Sequence, residues 1–184
     1  VTLVDLDPMV TRLARENPLF VTLNGGSLLS PKVTVVNDDA MPWLEKGTDL
    51  FDLVFVDFPD PNGFAVGKLY TKRFYTLLKR RLSPDGAFAV QSTSPLFARK
   101  SFWIIDRTIE ASGFATRPYH ATVPSFGEWG FVLAAPRPFA LPRHLIAGLR
   151  YLSDETLPAL FSFGPDMARL EAPVNRLYDQ VLVR

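Results

Sequence analysis

The sequence predicts an α/β fold built on a mainly parallel sheet. Short apolar runs alternate with longer amphipathic segments through the first three quarters of the chain, which is the pattern of strands separated by crossover helices. Acidic residues close three successive runs, at Asp5, at Asp38-Asp39 and at Asp57. The last two runs are joined by Thr122–Glu128, a loop too short for a crossover helix, so those two strands are expected to pair antiparallel.

Val1–Val4 reads as a buried strand, and Pro8 opens a helix to about Asn17 with Val10, Leu13 and Ala14 on one face. Asn24-Gly25-Gly26 is a turn, Lys32–Val36 a second strand, and a short helix comes next around Trp43-Leu44. Phe51–Val56 is the clearest strand. The helix Lys72–Leu82 carries Phe74, Leu77, Leu78 and Leu82 as its apolar stripe, and Pro84-Asp85-Gly86 turns the chain into the strand Ala87–Gln91. Ser94 or Pro95 opens a helix to about Ala111, closed by Ser112-Gly113, and Phe114–Tyr119 and Trp129–Ala135 are the final strands. Beyond that, proline recurs at 136, 138, 142, 158, 165 and 173, with short helices expected near Arg143–Tyr151 and Asp154–Leu160. Residues 1–135 are therefore read as one nucleotide-binding domain and 136–184 as a helical extension packed on it.

Composition narrows the function. A formal charge of +1 gives no basic footprint, which argues against a nucleic-acid partner. With no cysteine and only His120 and His144, thiolate metal sites and disulfides are excluded and a His-based metal centre or Ser-His triad has little to draw on. No metal is expected. No apolar run reaches the length that spans a bilayer, so no membrane contact by this chain is expected. The absence of cysteine fits a cytoplasmic setting. A start within a strand, without Met, reads as a piece of a longer polypeptide.

The acidic strand ends are the informative feature, because ligands of open parallel sheets bind beyond the carboxyl ends of the strands. A carboxylate there accepts from ribose hydroxyls, and one at the next strand end accepts from an adenine amino group. Each acid has a plainer reading. Asp5 or Asp7 could cap the helix opened by Pro8, and Asp38 and Asp39 could cap the helix that starts at Ala40. Asp57-Phe58-Pro59-Asp60-Pro61 could be a stiff turn with a solvated acid, since each proline keeps the residue before it extended. The alternative is specific: two carboxylates three residues apart suit a cationic amine, which becomes a nucleophile only after losing a proton.

At these residues the chain resembles the spermidine synthases, the polyamine aminopropyltransferases, and especially the bacterial branch whose longer members carry an N-terminal membrane segment. The resemblance rests on Val4-Asp5-Leu6-Asp7-Pro8, Asn37-Asp38-Asp39-Ala40, Val56-Asp57-Phe58-Pro59-Asp60-Pro61, Leu69-Tyr70 with Phe74-Tyr75, Gln91-Ser92-Thr93-Ser94-Pro95, Phe102-Trp103, the stretch Val123 to Phe131, and Val174-Asn175-Arg176-Leu177. It implies a Rossmann-like, class I methyltransferase fold whose seven-stranded sheet has an antiparallel last strand. The first strand of that fold, its glycine-rich loop and a small N-terminal β-domain are missing here. It also implies that Asp5 holds the ribose, that Asp39 and the Ala40 backbone hold the adenine, and that Asp57 deprotonates the attacking amine. Asp60 would anchor the diamine, with Gln91 and Tyr70 lining its pocket. Phe126 stands where many members have a tyrosine.

The reaction implied by the resemblance is transfer of an aminopropyl group from decarboxylated S-adenosylmethionine to a putrescine-like diamine, with methylthioadenosine and spermidine as products. A homodimer and a parent protein attached to the cytoplasmic membrane are further expectations. The missing glycine loop leads us to expect impaired activity from the 184 residues by themselves. The rival readings are an S-adenosylmethionine-dependent methyltransferase on the same scaffold and a non-catalytic binding domain.

Overall fold

A computed structural model describes residues 1–183, and the chain divides into two units, residues 1–48 and the remainder from Asp49. In the first unit, strand β1 (Thr2–Asp5) and strand β2 (Thr34–Asn37) pair in parallel, Thr2 opposite Thr34 through Asp5 opposite Asn37. Helices α1 (Pro8–Glu16) and α2 (Pro18–Leu23) connect them, and α3 (Ala40–Lys46) comes after β2. Both α1 and α2 begin with a proline, whose missing N–H costs nothing in the first turn, and each is capped by the preceding side chain, Asp7 or Asn17. Gly25 and Gly26 both take φ in the left-handed region, 61° and 68°, which makes the expected Asn24-Gly25-Gly26 turn.

The apolar face read for α1 is less buried than its spacing predicts, with Val10 and Leu13 exposed. Thr11 is the buried residue instead, and its hydroxyl lies 3.0 Å from the Asn37 side-chain amide nitrogen. A polar contact to the end of β2 fixes this helix.

The second unit is a four-stranded sheet in the order β3-β4-β6-β5. Strand β3 (Phe51–Val56) runs parallel to β4 (Leu82–Gln91), and β6 (Gly127–Ala135) is antiparallel to both β4 and β5 (Ala115–Val123). Pro84-Asp85-Gly86 forms a protrusion within β4: the pairing jumps from Phe51–Leu82 to Leu53–Ala87. Helix α4 (Phe64–Gly67) runs into a 3-10 turn, Lys68–Tyr70, before α5 (Lys72–Lys79); α6 (Arg99–Ala111) leads to β5. Gly113, at φ 86°, closes α6 as expected.

Tyr75, Leu77, Leu78, Phe88, Val90, Ile105, Ile109 and Val132 form the core between helices and sheet, each at most 1% exposed. Burying each such side chain is worth about 1.5–3 kcal/mol. Tyr75 stacks on Phe88 and Phe88 meets Phe114 edge-on. Lys79-Arg80-Arg81 is not wholly a solvated helix end, as its charges suggest. Arg81 is 2% exposed, donates from Nε to the Asp49 carbonyl at 2.6 Å, and lies over the Phe51 ring.

From Pro136 the chain packs on this unit without the helix expected at Arg143–Tyr151, and the one expected near Asp154–Leu160 is reduced to a 3-10 turn. The described residues there contain one 3-10 helix, Leu157–Phe161. Gly148, at φ 87°, interrupts the first segment and Pro158 the second, and runs this short do not sustain an α-helix. Side-chain anchors hold the segment instead. Trp103 Nε1 donates to the Met167 carbonyl at 3.0 Å, and Arg99 Nε to that of Ala168 at 2.8 Å. Asn175 is fully buried, its Nδ2 donating to the Tyr70 carbonyl at 3.0 Å and its N–H to Thr108 Oγ1 at 2.9 Å.

Candidate active site

In the first unit the parallel register puts the carboxyl ends of β1 and β2 side by side, and with them Asp5 and Asn37-Asp38-Asp39. Asp5 Oδ1 accepts the Asp7 N–H at 2.8 Å, and Asp7 Oδ1 accepts the Met9 N–H at 2.8 Å. Asp7 is therefore the cap of α1, and Asp5 sits at the end of the strand. Asp38 Oδ1 accepts the Asp39 N–H at 2.8 Å, while Asp39 caps α3 through the Met41 N–H at 3.0 Å. Ala40 is the first residue of α3. The capping role read for Asp39 is thus present, and a cap at the end of a strand is still an acceptor beside the ligand edge of a sheet.

The second unit gathers Asp57, Asp60, Tyr70 and Gln91. Asp57 directly follows Val56, the buried last residue of β3, and is exposed. It makes no hydrogen bond or ion pair among the described residues. Three residues on, Asp60 is half-buried and held on both oxygens: Gln91 Nε2 donates to Oδ1 at 3.0 Å and Thr93 Oγ1 to Oδ2 at 3.3 Å. Buried Pro61 and the edge-on contacts of Phe58 with Tyr70 and Phe74 fix the loop between these acids.

Tyr70 is fully buried. Its hydroxyl faces three acceptors, the Phe58 carbonyl at 3.2 Å, the Pro59 carbonyl at 3.2 Å and Gln91 Oε1 at 3.1 Å. Burial pushes the phenol well above its ordinary pKa, and the charges of Asp60 and Asp57 push it further, so it stays a donor. A hydroxyl that donates to Gln91 Oε1 also decides the amide's orientation: Nε2 then points at Asp60. The resemblance implies that Tyr70 lines the amine pocket; in the structure its side chain is buried and contacts Gln91 and the Phe58-Pro59 backbone.

Glu128 and His120 are engaged with each other. His120 Nδ1 meets Glu128 Oε1, its Nε2 meets the Ser162 carbonyl at 2.8 Å, and Thr122 donates to Glu128 Oε2 at 3.2 Å. Thr93 is the residue that sequence reasoning missed. It appears in the sequence as one hydroxyl among Ser92-Thr93-Ser94, with nothing to mark its contact with Asp60.

The arrangement is an unpaired carboxylate beside a strand end, a second carboxylate locked three residues away, and an amide aligned by a buried phenol. Comparison with known proteins gives this arrangement its setting. The family model described as "Spermine/spermidine synthase domain" matches residues 1–139. The chain belongs to that family.

Among its curated relatives, the polyamine aminopropyltransferase of Leptospira interrogans is 50% identical over 184 residues, covering 100% of this chain and 37% of that protein. Polyamine aminopropyltransferase 2 of Ralstonia nicotianae is 49% identical, covering 100% of this chain and 36% of the relative. The chain thus spans little more than a third of the length of these relatives. A solved spermidine synthase in complex with the transition-state analogue AdoDATO superposes with a TM-score of 0.75 at 24% identity, over 89% of this chain and 58% of that one. The spermidine synthase of Thermotoga maritima gives 0.74 at 23% identity, over 89% and 57%. These likenesses establish the fold: α/β, of the class I methyltransferase-like type, with β6 as its antiparallel last strand.

Proposed function

We propose that this chain carries the nucleotide and amine machinery of a polyamine aminopropyltransferase acting on a putrescine-like diamine with decarboxylated S-adenosylmethionine as donor. The observation that carries the reading is the contrast between Asp57, exposed and without a partner among the described residues, and Asp60, fixed through both oxygens three residues later. A diamine presents two ammonium groups with opposite needs. One must lose a proton to react, which calls for a carboxylate free to accept it; the other must stay charged and be held, which calls for a carboxylate that cannot move.

In this reading Asp57 takes the proton from the reacting ammonium. The freed nitrogen lone pair attacks the carbon beside the sulfonium, the C–N bond forms as the C–S bond breaks, and the bonding pair leaves with sulfur as methylthioadenosine. Asp60 and the Gln91 amide hold the far end of the diamine. Asp5 accepts from the ribose hydroxyls, and Asp39 with the Ala40 backbone binds the adenine. The sulfonium is already a good leaving group, so the protein's contribution is alignment, one proton transfer and charge matching.

The 50% identity to an aminopropyltransferase supports this assignment over a methyltransferase. The Phe58-Pro59 spelling of the loop further supports the branch with a membrane-attached parent and a cytoplasmic catalytic domain. No helix among the described residues is long and apolar enough to cross a membrane.

The donor distinguishes the two enzymatic readings. Calorimetric titration of the full-length protein is expected to give tighter binding of decarboxylated S-adenosylmethionine than of S-adenosylmethionine, because the extra carboxylate would be repelled by the acids proposed to bind the substrates. Preference for the carboxylated donor would instead establish a methyltransferase, and heatless titration with both donors and with methylthioadenosine a domain that binds neither.

A further inference from the structure

Thr93 has a left-handed backbone, with φ 61°. Such a conformation is ordinary for glycine and an outlier for a β-branched residue, and outliers of this kind collect at functional sites. The cause lies in the end of the β4–β6 ladder. After the last regular pair, Gln91 opposite Phe131, the Ser92 N–H donates to the Gly130 carbonyl at 2.9 Å and the Gly130 N–H donates to the Thr93 carbonyl at 2.7 Å. Two residues of one strand thus face one of the other, a β-bulge, and bulges re-aim side chains.

Gly130 is fitted to this bulge. A Cβ there would lie 2.7 Å from the Thr93 carbonyl oxygen and 2.5 Å from Phe102 Cε2. The three hydroxyls of the turn are all committed, but to different ends. Ser92 donates to the Val90 carbonyl and Ser94 to the Glu128 carbonyl, both backbone ties. Thr93 is 6% exposed, and its hydroxyl reaches a side chain of the candidate site, Asp60 Oδ2. Gln91 occupies the other oxygen.

We infer that Thr93 is a positioning residue for diamine recognition: the bulge opposite Gly130 aims its hydroxyl at Asp60 and, with Gln91, fixes that carboxylate where the far ammonium of the substrate is held. The inference rests on the aminopropyltransferase reading and adds to it the residue that sets amine affinity. Thr93 acts through Asp60, so its removal weakens the diamine and leaves the nucleotide donor and the proton transfer at Asp57 largely untouched.

The test is steady-state kinetics of the full-length protein with putrescine and decarboxylated S-adenosylmethionine varied in turn, for wild type, Thr93→Ser, Thr93→Ala and Thr93→Gly. Deleting a hydrogen bond to a charged group is expected to raise the diamine KM about tenfold in Thr93→Ala and Thr93→Gly, with donor KM and kcat within about threefold of wild type. Thr93→Ser keeps the hydroxyl and is expected to retain near-wild-type KM. Glycine accepts the left-handed backbone without strain, so Thr93→Gly carries the test if Thr93→Ala fails to fold. An unchanged diamine KM in Thr93→Gly, or a Thr93→Ser variant as impaired as Thr93→Gly, would overturn the inference. Wild type that transfers no aminopropyl group to any diamine would instead sink the underlying reading, and the inference with it.

Discussion

Asp57 and Asp60 are chemically identical side chains with different surroundings, and the difference is what the proposed division of labour rests on. Replacing Asp57 by Asn removes the proposed proton acceptor while keeping shape. The expected outcome is a fall in kcat of about 10²–10⁴-fold with the diamine KM little changed, read from initial rates over a range of putrescine. Asp60→Asn removes the charge proposed to hold the far ammonium and is expected to act mainly on KM. Tyr70→Phe strips the donor from three acceptors and releases the Gln91 amide to rotate. A loss of about 1–3 kcal/mol of stability is expected by chemical denaturation, together with a higher diamine KM. Asp57 and Asp60 were legible in the sequence because a carboxylate at a strand end needs no tertiary detail to be suspect. The burial of Tyr70 was not, since two of its acceptors are backbone carbonyls brought to it by the loop after β3 and the third is Gln91, twenty-one residues on. Thr93 gave no signal, because a β-branched residue does not announce a positive φ.

Among the elements, β3 matches its expected limits residue for residue, Phe51–Val56, because a short apolar run ending in an acid and two prolines has one reasonable reading. Helix α6 likewise ends where Ser112-Gly113 says it should. Failures fall where long-range contacts replace local pattern. The β5–β6 hairpin is longer than its apolar cores suggest, because pairing continues through His120–Val123 and Gly127–Glu128, where polar side chains interrupt the apolar run. In the last fifty residues, anchors such as Asn175 do what helices were expected to do. The bulge at the end of the β4–β6 ladder supplies a prediction at this scale. Gly130→Ala places a methyl group against the Phe102 ring and the Thr93 carbonyl, so a loss of about 1–3 kcal/mol in folding free energy is expected, measured by urea unfolding. An unchanged midpoint would mean that the turn has room the structure does not show.

At the scale of the whole molecule, the attachment of the C-terminal segment to α6 involves a buried acid. Asp106 is fully buried, lies 3.5 Å from Arg169, and has no well-formed hydrogen bond on either oxygen. Burial raises its carboxyl from 3.8 to about 6; nearby Thr116 opposes the rise, Glu110 adds to it, and Arg169 and Arg107 oppose it. A carboxyl pKa higher in the folded state means the ionised form destabilises the fold. The penalty is present in full above pH 6 and fades as pH falls toward 4. At 1.36 kcal/mol per unit, the shift corresponds to roughly 3 kcal/mol. Asp106→Asn is therefore expected to raise stability at pH 7.5 by up to that amount, and to give no gain at pH 3.5, as measured by unfolding at both pH values. A destabilised Asn variant at pH 7.5 would show that the link to Arg169 outweighs the cost of burial.

The family and the strand-end acids together support the proposed aminopropyl transfer, and product analysis tests that proposal most directly. Full-length protein, incubated with decarboxylated S-adenosylmethionine and putrescine, is expected to release methylthioadenosine and spermidine in equal amounts by mass spectrometry, with the yield lost in Asp57→Asn. Spermidine formed at an undiminished rate by Asp57→Asn, or a wild-type protein that leaves both substrates intact, would contradict the account.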